Sequence, residues 1–580
     1  MMIHMPDELR SQQWFARSDE MGVRHRSVLG TLGFDMGRIA GRPVIGICNP
    51  RSELNNCELG FREIAEAVRR GVTEAGGIAL EFPTMALGAD LLKPSDLLYR
   101  NLVAMDVEET IRGYPLDGVV LLCNCDKTTP AQLMAAASAD IPAIQMSGGP
   151  RAAGYWRNEP IATGTDFWKY WDDYRTGKLS DQEWREFESC IACTSGACNE
   201  MGTASTMVSM SEALGMMPTG TCGLPANDAR RLAASEAAGR QIVQLVRDDV
   251  RPSAILTANA FENAIRVLMA IGGSTNAVIH LIAIAGRRGI DLPLSLFDDL
   301  SRQTPTLANL KPSGQYLMVD MHGAGGLPAV MQRISDDLHK DCATVSGATT
   351  GQIIERAHCY DDDVIRPVDR AILDSGALVV LKGNLVPSGA VLKVSASDPS
   401  LHDHTGPAYI FDDYHCMLAQ LDDDDLPVTP EHVLILRNIG PCGLPGMPEW
   451  GSIPLPGKLY KQGVRDMVRI SDGRMSGTSY GTVILHAAPE AAVGGPLAIV
   501  RSGDMIRLSV EKRRLDLLID QSELDRRLAD FSPPPPKHVR GYPRLFVDHV
   551  LQADRGCDMD FLRPESTDAL TFVHPVVGRS

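Results

Sequence analysis

Apolar positions in the first half of the chain fall in short continuous runs separated by stretches of helical spacing. Residues 43–48, 77–82, 118–123 and 142–146 are the apolar runs, and residues 59–75, 95–113 and 130–139 between them place apolar side chains every three or four positions. Runs that are apolar on both faces and alternate with amphipathic helices predict a largely parallel sheet with helices on both faces. In such a fold reactive side chains gather beyond the carboxyl ends of the strands, which is where Asn124, Cys125, Asp126 and Lys127 follow the third run.

From residue 199 to 286 the pattern is helical, with Ala, Met and Leu stripes of the kind helix packing produces and one interruption, Gly272-Gly273-Ser274-Thr275-Asn276. Beyond about residue 370 the texture changes. Short strand patterns at 377–381, 390–394, 408–411, 432–436, 482–485, 497–500, 505–510 and 514–519 are separated by Gly, Pro and Asp, which predicts a β-rich, barrel-like second domain. We therefore expect an α/β domain over 1–369 and a β-rich domain over 370–580, with the proline run 533–536 as a stiff connector to a C-terminal tail. A chain of 580 residues is too long for one compact core, which agrees with this division. The acidic run 422–425 reads as a solvated turn. The aromatic group Tyr155, Trp156, Phe167, Trp168, Tyr170, Trp171 and Tyr174 reads as packing, with a lid or subunit contact as the alternative.

The formal net charge of −17 argues against a general nucleic-acid or anionic-membrane surface. No run approaches 18 apolar residues, and residues 1–21 contain no apolar segment of a secretory signal, so a cytoplasmic protein is expected. Thirteen scattered cysteines fit reduced thiols better than a disulfide framework.

Three of those cysteines sit where a loop meets a predicted helix: Cys57, Cys125 and Cys198. Their spacing does not make a zinc knuckle. Three thiolates suit an iron–sulfur cluster with one iron open to act as a Lewis acid. Cys123 is the alternative fourth thiolate, and Cys190 and Cys193 have a redox or zinc spacing but no second pair. Asp126 is a good ligand for a hard cation, whereas the ammonium of the adjacent Lys127 would repel that cation unless its charge were removed. His280 and His486 read as core or supporting histidines. The glycines around 323–326 lack a phosphate-loop lysine.

At this density of motifs the sequence resembles the dihydroxy-acid and sugar-acid dehydratases that include 6-phosphogluconate dehydratase. The strings that carry the resemblance are Asn124-Cys125-Asp126-Lys127-Thr128-Thr129-Pro130, Ser147-Gly148-Gly149-Pro150, Gly196-Ala197-Cys198-Asn199 with Gly202-Thr203-Ala204-Ser205-Thr206, and Gly272-Gly273-Ser274-Thr275-Asn276. Further along lie Gly440-Pro441, Pro445-Gly446-Met447-Pro448-Glu449, Ser471-Asp472-Gly473-Arg474-Met475-Ser476-Gly477 and Pro489-Glu490-Ala491. They run in family order over nearly the whole chain.

The resemblance implies a cluster on Cys57, Cys125 and Cys198, with [2Fe-2S] favoured over [4Fe-4S]. It also implies Mg2+ held by Asp126, Glu449 and Lys127 as a carbamate, and Ser476 as the base at C2 of the substrate. Carbamylation would turn the repelling lysine into an oxygen donor. Thr478 is expected either to bind substrate beside Ser476 or to cap the following segment. Two departures stand out. Many members carry Thr-Pro-Cys-Asn with a histidine three residues after the cysteine, where this chain has Asn55-Asn56-Cys57-Glu58-Leu59-Gly60. Members also place an acidic magnesium ligand in the loop after the second strand, where this chain has Ala89, so Asp90 is the expected substitute.

Met475-Ser476-Gly477-Thr478-Ser479-Tyr480-Gly481 and Leu98-Tyr99-Arg100 look like arabinonate and xylonate dehydratases. The expected activity is removal of water from a 2,3-dihydroxy sugar acid to give a 2-keto-3-deoxy acid, in a homodimer or homotetramer. The alternatives are a branched-chain dihydroxy-acid dehydratase and a non-catalytic iron–sulfur sensor.

Overall fold

A computed structural model describes residues 9–564 apart from positions 36, 38, 40 and 536. Residues 1–8 of the N-terminal stretch, Pro536 of the proline connector and the end of the tail lie outside the described residues.

The apolar runs of the first half become β1 (Val44–Asn49), β2 (Ile78–Pro83), β3 (Gly118–Cys123) and β4 (Ala143–Ser147), all parallel, in the order β2-β1-β3-β4. Every residue of β1, β3 and β4 is buried, the mark of strands covered on both faces. Helices Phe61–Glu74 and Ala229–Arg247 pack together over one face, and helices Asp96–Gly113 and Thr128–Ala139 over the other, as right-handed crossovers require. Gly71 and Gly239 allow the first pair to approach closely: a methyl group on Gly71 would lie 1.9 Å from the carbonyl oxygen of Glu236. The order of strands reverses between β1 and β3, so the crevice at their carboxyl ends is the natural place for a site.

A hairpin follows, β5 (Gly154–Trp156) and β6 (Glu159–Ile161), turning at Arg157 and Asn158, both with positive φ. With helices Thr165–Arg175 and Asp181–Glu188 it packs Trp156, Phe167, Tyr170, Trp184 and Phe187 into a small core of its own. The expectation of packing for the aromatic group therefore holds for Trp156, Phe167 and Tyr170, whereas Tyr155, Trp168 and Trp171 are exposed.

The second half forms one eight-stranded mixed sheet from β7 (Leu378–Leu381), β8 (Gly389–Lys393), β9 (Asp403–Phe411), β10 (Val433–Leu436), β11 (Arg469–Ser471), β12 (Val483–Ala488), β13 (Met505–Ser509) and β14 (Arg514–Leu517). The order is β14-β13-β9-β10-β11-β12-β8-β7, and a bridge between Lys382 and Arg514 draws the two edges together into a nearly closed barrel. Two expectations are corrected. Residues 497–500 are not a strand: Pro496–Ile499 forms a 3-10 helix, because Gly494, Gly495 and Pro496 interrupt the extended backbone. β11 was not anticipated, since it is three residues long and begins with an arginine.

Beyond the proline connector the chain returns to the α/β domain. Asp558 is fully buried against Arg287, with Nε to Oδ2 at 2.6 Å and Nη2 to Oδ1 at 3.0 Å. Arg100, also fully buried, donates to the carbonyls of Gly556 and Cys557 at 2.9 and 2.8 Å. Asp558→Ala would leave the Arg287 guanidinium with one buried carboxylate, Glu108 at 3.2 Å. Removing one partner of a buried pair costs about 3–5 kcal/mol. Urea unfolding should show that loss, and an unchanged midpoint would show that this pair does not anchor the tail. Among the described residues no helix is long and apolar enough to cross a membrane.

Candidate active site

Cys57 and Cys125 lie in the loops after β1 and β3, the two strands flanking the reversal, and both are buried. The Asn124 side chain ties these loops together by donating to the carbonyls of Cys57 and Gly149 at 2.8 and 3.0 Å. Residues 196–198 pair with the loop after β4: the Ala197 amide donates to Gly149 O at 3.0 Å, the Arg151 amide to Ala197 O at 2.9 Å. Gly196 makes that turn at φ +126°, where a methyl group would strike the Arg151 backbone. Cys198 is thereby brought beside the other two.

The thiols sense one another. A hydrogen bond shared with Cys57, followed by burial, pushes Cys125 well above the ordinary thiol range. Burial and then Glu200 raise Cys198, against the nearby Arg151. Burial works against the Arg151 charge, but Cys198, Cys57, Asp90 and Glu200 outweigh it and raise its pKa. Such thiols are neutral on their own and ionise only against strong positive charge, which iron would supply. A cavity of about 300 Å³ borders Cys57, Gly148 and Gly196. Three cysteines at one crevice, beside an arginine and a cavity, supply the donor chemistry of an iron–sulfur cluster. Glu58 is fully buried next to Cys57, and burial pushes its carboxyl up to about 8. It therefore presents a largely neutral acid near pH 7.

Lys127 follows at the start of helix Thr128–Ala139 and is fully buried. Its ammonium is surrounded by carboxylates: Asp96 Oδ2 at 3.5 Å, Asp126 Oδ2 at 3.5 Å and Glu449 Oε1 at 3.6 Å. Arg474 holds the far side, donating through Nη1 to Glu449 Oε1 at 2.7 Å and through Nε to the Met447 carbonyl at 2.7 Å. Asn276 donates to the same Glu449 oxygen at 2.7 Å. Burial raises Asp126 to about 6, with Glu449 and Asp96 adding to the rise and Lys127 opposing it. At Glu449 burial is outweighed by Lys127 and Arg474, which lower its pKa. Among the described residues no group of three or more His, Cys, Asp or Glu side chains is placed to hold a metal ion as it stands. The carboxylates stand around the ammonium instead. As a set of hard oxygen donors converging on one buried point they fit Mg2+, provided the lysine charge is removed.

Ser476 lies on the loop after β11, two residues from Arg474. Asn276 links this loop to the carboxylates by donating also to the Met475 carbonyl at 3.2 Å. The loop presses on the start of helix Thr203–Ala213: a methyl group on Gly477 would lie 2.6 Å from the Thr203 amide nitrogen, and the Gly477 amide donates to Thr203 Oγ1 at 3.3 Å. The Ser476 and Thr478 hydroxyls are 2.9 Å apart, and the Thr478 amide donates to Ser476 Oγ at 3.3 Å. Trp168 Nε1 donates to Thr478 Oγ1 at 3.1 Å, so one member of the aromatic group reaches the site.

Of the expected residues, Cys57, Cys125 and Cys198 form one group, and Lys127, Asp126 and Glu449 a second beside it. Asp90 joins neither set of carboxylates: it is exposed, and its influence falls on Arg151 and Cys198. The carboxylate actually beside Lys127 is Asp96, which sequence reasoning missed. Cys123 belongs to the apolar core under the sheet. Cys190 and Cys193 each donate to a backbone carbonyl, Glu186 O and Ala152 O, at 3.3 Å. His280 accepts from Arg100 Nη1 at 3.0 Å, and burial followed by that arginine keeps it neutral. Burial likewise lowers His486 to about 3.

The model of the dihydroxy-acid/6-phosphogluconate dehydratase N-terminal region matches residues 42–353, and that of the C-terminal region residues 363–557. The chain is 50% identical over 560 residues to an L-arabinonate dehydratase of Rhizobium leguminosarum bv. trifolii, covering 96% of this chain and 97% of that one. It is 48% identical over 563 residues to an L-arabonate dehydratase of Azospirillum brasilense and 47% identical over 560 residues to a 6-deoxy-6-sulfo-D-gluconate dehydratase of Pseudomonas putida, with the same two coverages in each case.

Proposed function

The chain belongs to the dihydroxy-acid/6-phosphogluconate dehydratase family and is a hydro-lyase, and from that premise we propose that it dehydrates a sugar acid, a pentonate in the first instance, to its 2-keto-3-deoxy acid. The observation that carries this reading is the meeting of three groups at one crevice: the Cys57, Cys125 and Cys198 thiols, the carboxylates around Lys127, and the Ser476 hydroxyl. A cluster-based sensor has no use for the second and third groups. The relatives named for sugar acids favour this substrate class over a branched-chain dihydroxy acid.

Cys57, Cys125 and Cys198 would hold the cluster, and Asp126, Glu449 and carbamylated Lys127 the Mg2+. When bound, these groups supply Lewis-acid charge, iron toward the C3 hydroxyl and Mg2+ toward the carboxylate and C2 hydroxyl. Ser476 Oγ takes the proton from C2. A serine hydroxyl is too weak an acid to ionise alone near pH 7, and the Thr478 amide donating to Ser476 Oγ at 3.3 Å, with the positive end of helix Thr203–Ala213 alongside, favours the alkoxide. The hydrogen removed from C2 and the hydroxyl lost from C3 together make one water. The enol left behind takes a proton at C3 and becomes the ketone, so no oxidant or reductant is needed. Arg474 and Asn276 hold Glu449 in place while the Thr478 and Trp168 pair fixes the loop that carries Ser476.

All thirteen cysteines are free, which supports a reducing, cytoplasmic setting. Association of like copies as a homodimer or homotetramer is part of the same proposal. The test of substrate is turnover by anaerobically prepared, Mg2+-supplied enzyme on L-arabinonate, D-xylonate, 6-deoxy-6-sulfo-D-gluconate and 2,3-dihydroxyisovalerate. A sugar acid should be preferred by kcat/KM, and preference for 2,3-dihydroxyisovalerate would overturn the choice of substrate class.

A further inference from the structure

We propose that Asp96 supplies the carboxylate oxygen that this chain lacks at position 89, completing the divalent-cation site with Asp126, Glu449 and Lys127. The proposal rests on the reading of that group as a Mg2+ site and adds to it a ligand that the motif strings do not contain.

Ala89 offers a methyl group where an acid is expected, and the neighbouring Asp90 is exposed and turned to the thiol side of the crevice. The loop after β2 goes on to the start of helix Asp96–Gly113. There Ser95 is the cap, its Oγ accepting from the Leu97 amide at 3.2 Å and donating to the Gly446 carbonyl at 2.7 Å. With the cap filled by serine, the Asp96 side chain is not needed to cap the helix. It turns inward instead, 5% exposed, toward Lys127.

Asp96 is paired only at long range with its two cations, Lys127 and Arg474. A charge-assisted hydrogen bond spans about 2.7–2.9 Å, and the buried Arg287–Asp558 pair of this protein closes to 2.6 Å. Asp96 Oδ2 stands 3.5 Å from Lys127 Nζ and makes no hydrogen bond, while Oδ1 stands 3.5 Å from Arg474 Nη2. A buried carboxylate oxygen without a hydrogen bond is costly and rare. Here it is aimed at the point on which Asp126 and Glu449 also converge, and a small divalent cation at that point would satisfy it. The site is then built from the loop after β2 as expected, but from a residue seven positions further along, on the first turn of a helix.

Binding of Mn2+ as a probe, followed through the loss of its free-ion paramagnetic resonance signal, tests this on the full-length, cluster-containing protein. Asp96→Asn keeps shape and removes charge. It should weaken Mn2+ binding at least about 10-fold, the loss already typical when a residue merely supporting a ligand is changed, with the visible absorption of the cluster unaltered. Glu449→Gln serves as the reference, and adding Ala89→Glu to Asp96→Ala should recover binding. If Glu449→Gln weakens binding and Asp96→Asn does not, the assignment of Asp96 is wrong while the site stands. If neither variant weakens it, the cation site itself is wrong and Asp96 falls with it.

Discussion

Ser476→Ala should lower kcat by roughly 10² to 10⁴, the range for a positioned proton-transfer group, and leave both iron and Mg2+ in place. The expectation follows from how little else Ser476 does. Its Oγ is partly exposed and meets only Thr478, whose own hydroxyl keeps Trp168 Nε1 as a donor when the serine is removed. The Thr478 amide loses its acceptor, a cost confined to this loop, so overall folding and the carboxylate group around Lys127 should be retained. KM should change little, because the lost interaction belongs to the transition state. Thr478→Val is the comparison: it removes the hydroxyl but keeps the amide that donates to Ser476 Oγ, so its effect on kcat should be smaller. Unchanged kcat in Ser476→Ala would mean that another group takes the C2 proton.

Cys125→Ser should abolish turnover by removing the cluster. Cys125 is 3% exposed and fixed just beyond β3, and the removed thiolate has no substitute among the other two cysteines, each already needed as a ligand. The purified variant should lack the visible absorption and the acid-labile sulfide of the parent. Cys123→Ser is the discriminating control. Its side chain is packed in the apolar core two residues earlier, and it should keep the cluster at some cost in stability. Full iron and sulfide in Cys125→Ser would overturn the ligand assignment.

Local pattern made much of the fold legible. β3 spans the same residues that its apolar run marks, because Gly118 and Asn124 bound a stretch with no competing signal. The Pro496–Ile499 segment has equally apolar residues, but a proline and two glycines override them. The site was legible where consecutive residues carry chemistry, as in Cys125-Asp126-Lys127. It was illegible where contacts join distant segments. Asp96 after Ser95 at the head of an apolar helix has the look of an ordinary acidic first turn, which is favourable beside the helix dipole and needs no further explanation. Nothing local reveals that this turn faces Lys127. Asn276 and Arg474 stood within quoted motifs, yet their shared hold on Glu449 depends on segments nearly 200 residues apart, as the return of Asp558 to Arg287 depends on a still longer closure.

The central claim is that this site removes a proton from C2 and returns a solvent proton to C3. It is tested by the mass and position of label in the product formed from unlabelled L-arabinonate in deuterated water by the anaerobic, Mg2+-supplied enzyme. The account predicts a 2-keto-3-deoxy acid with one deuterium at C3 per turnover. A product with both C3 hydrogens unlabelled would mean that the C2 hydrogen is carried to C3 without exchange with solvent, and would contradict it.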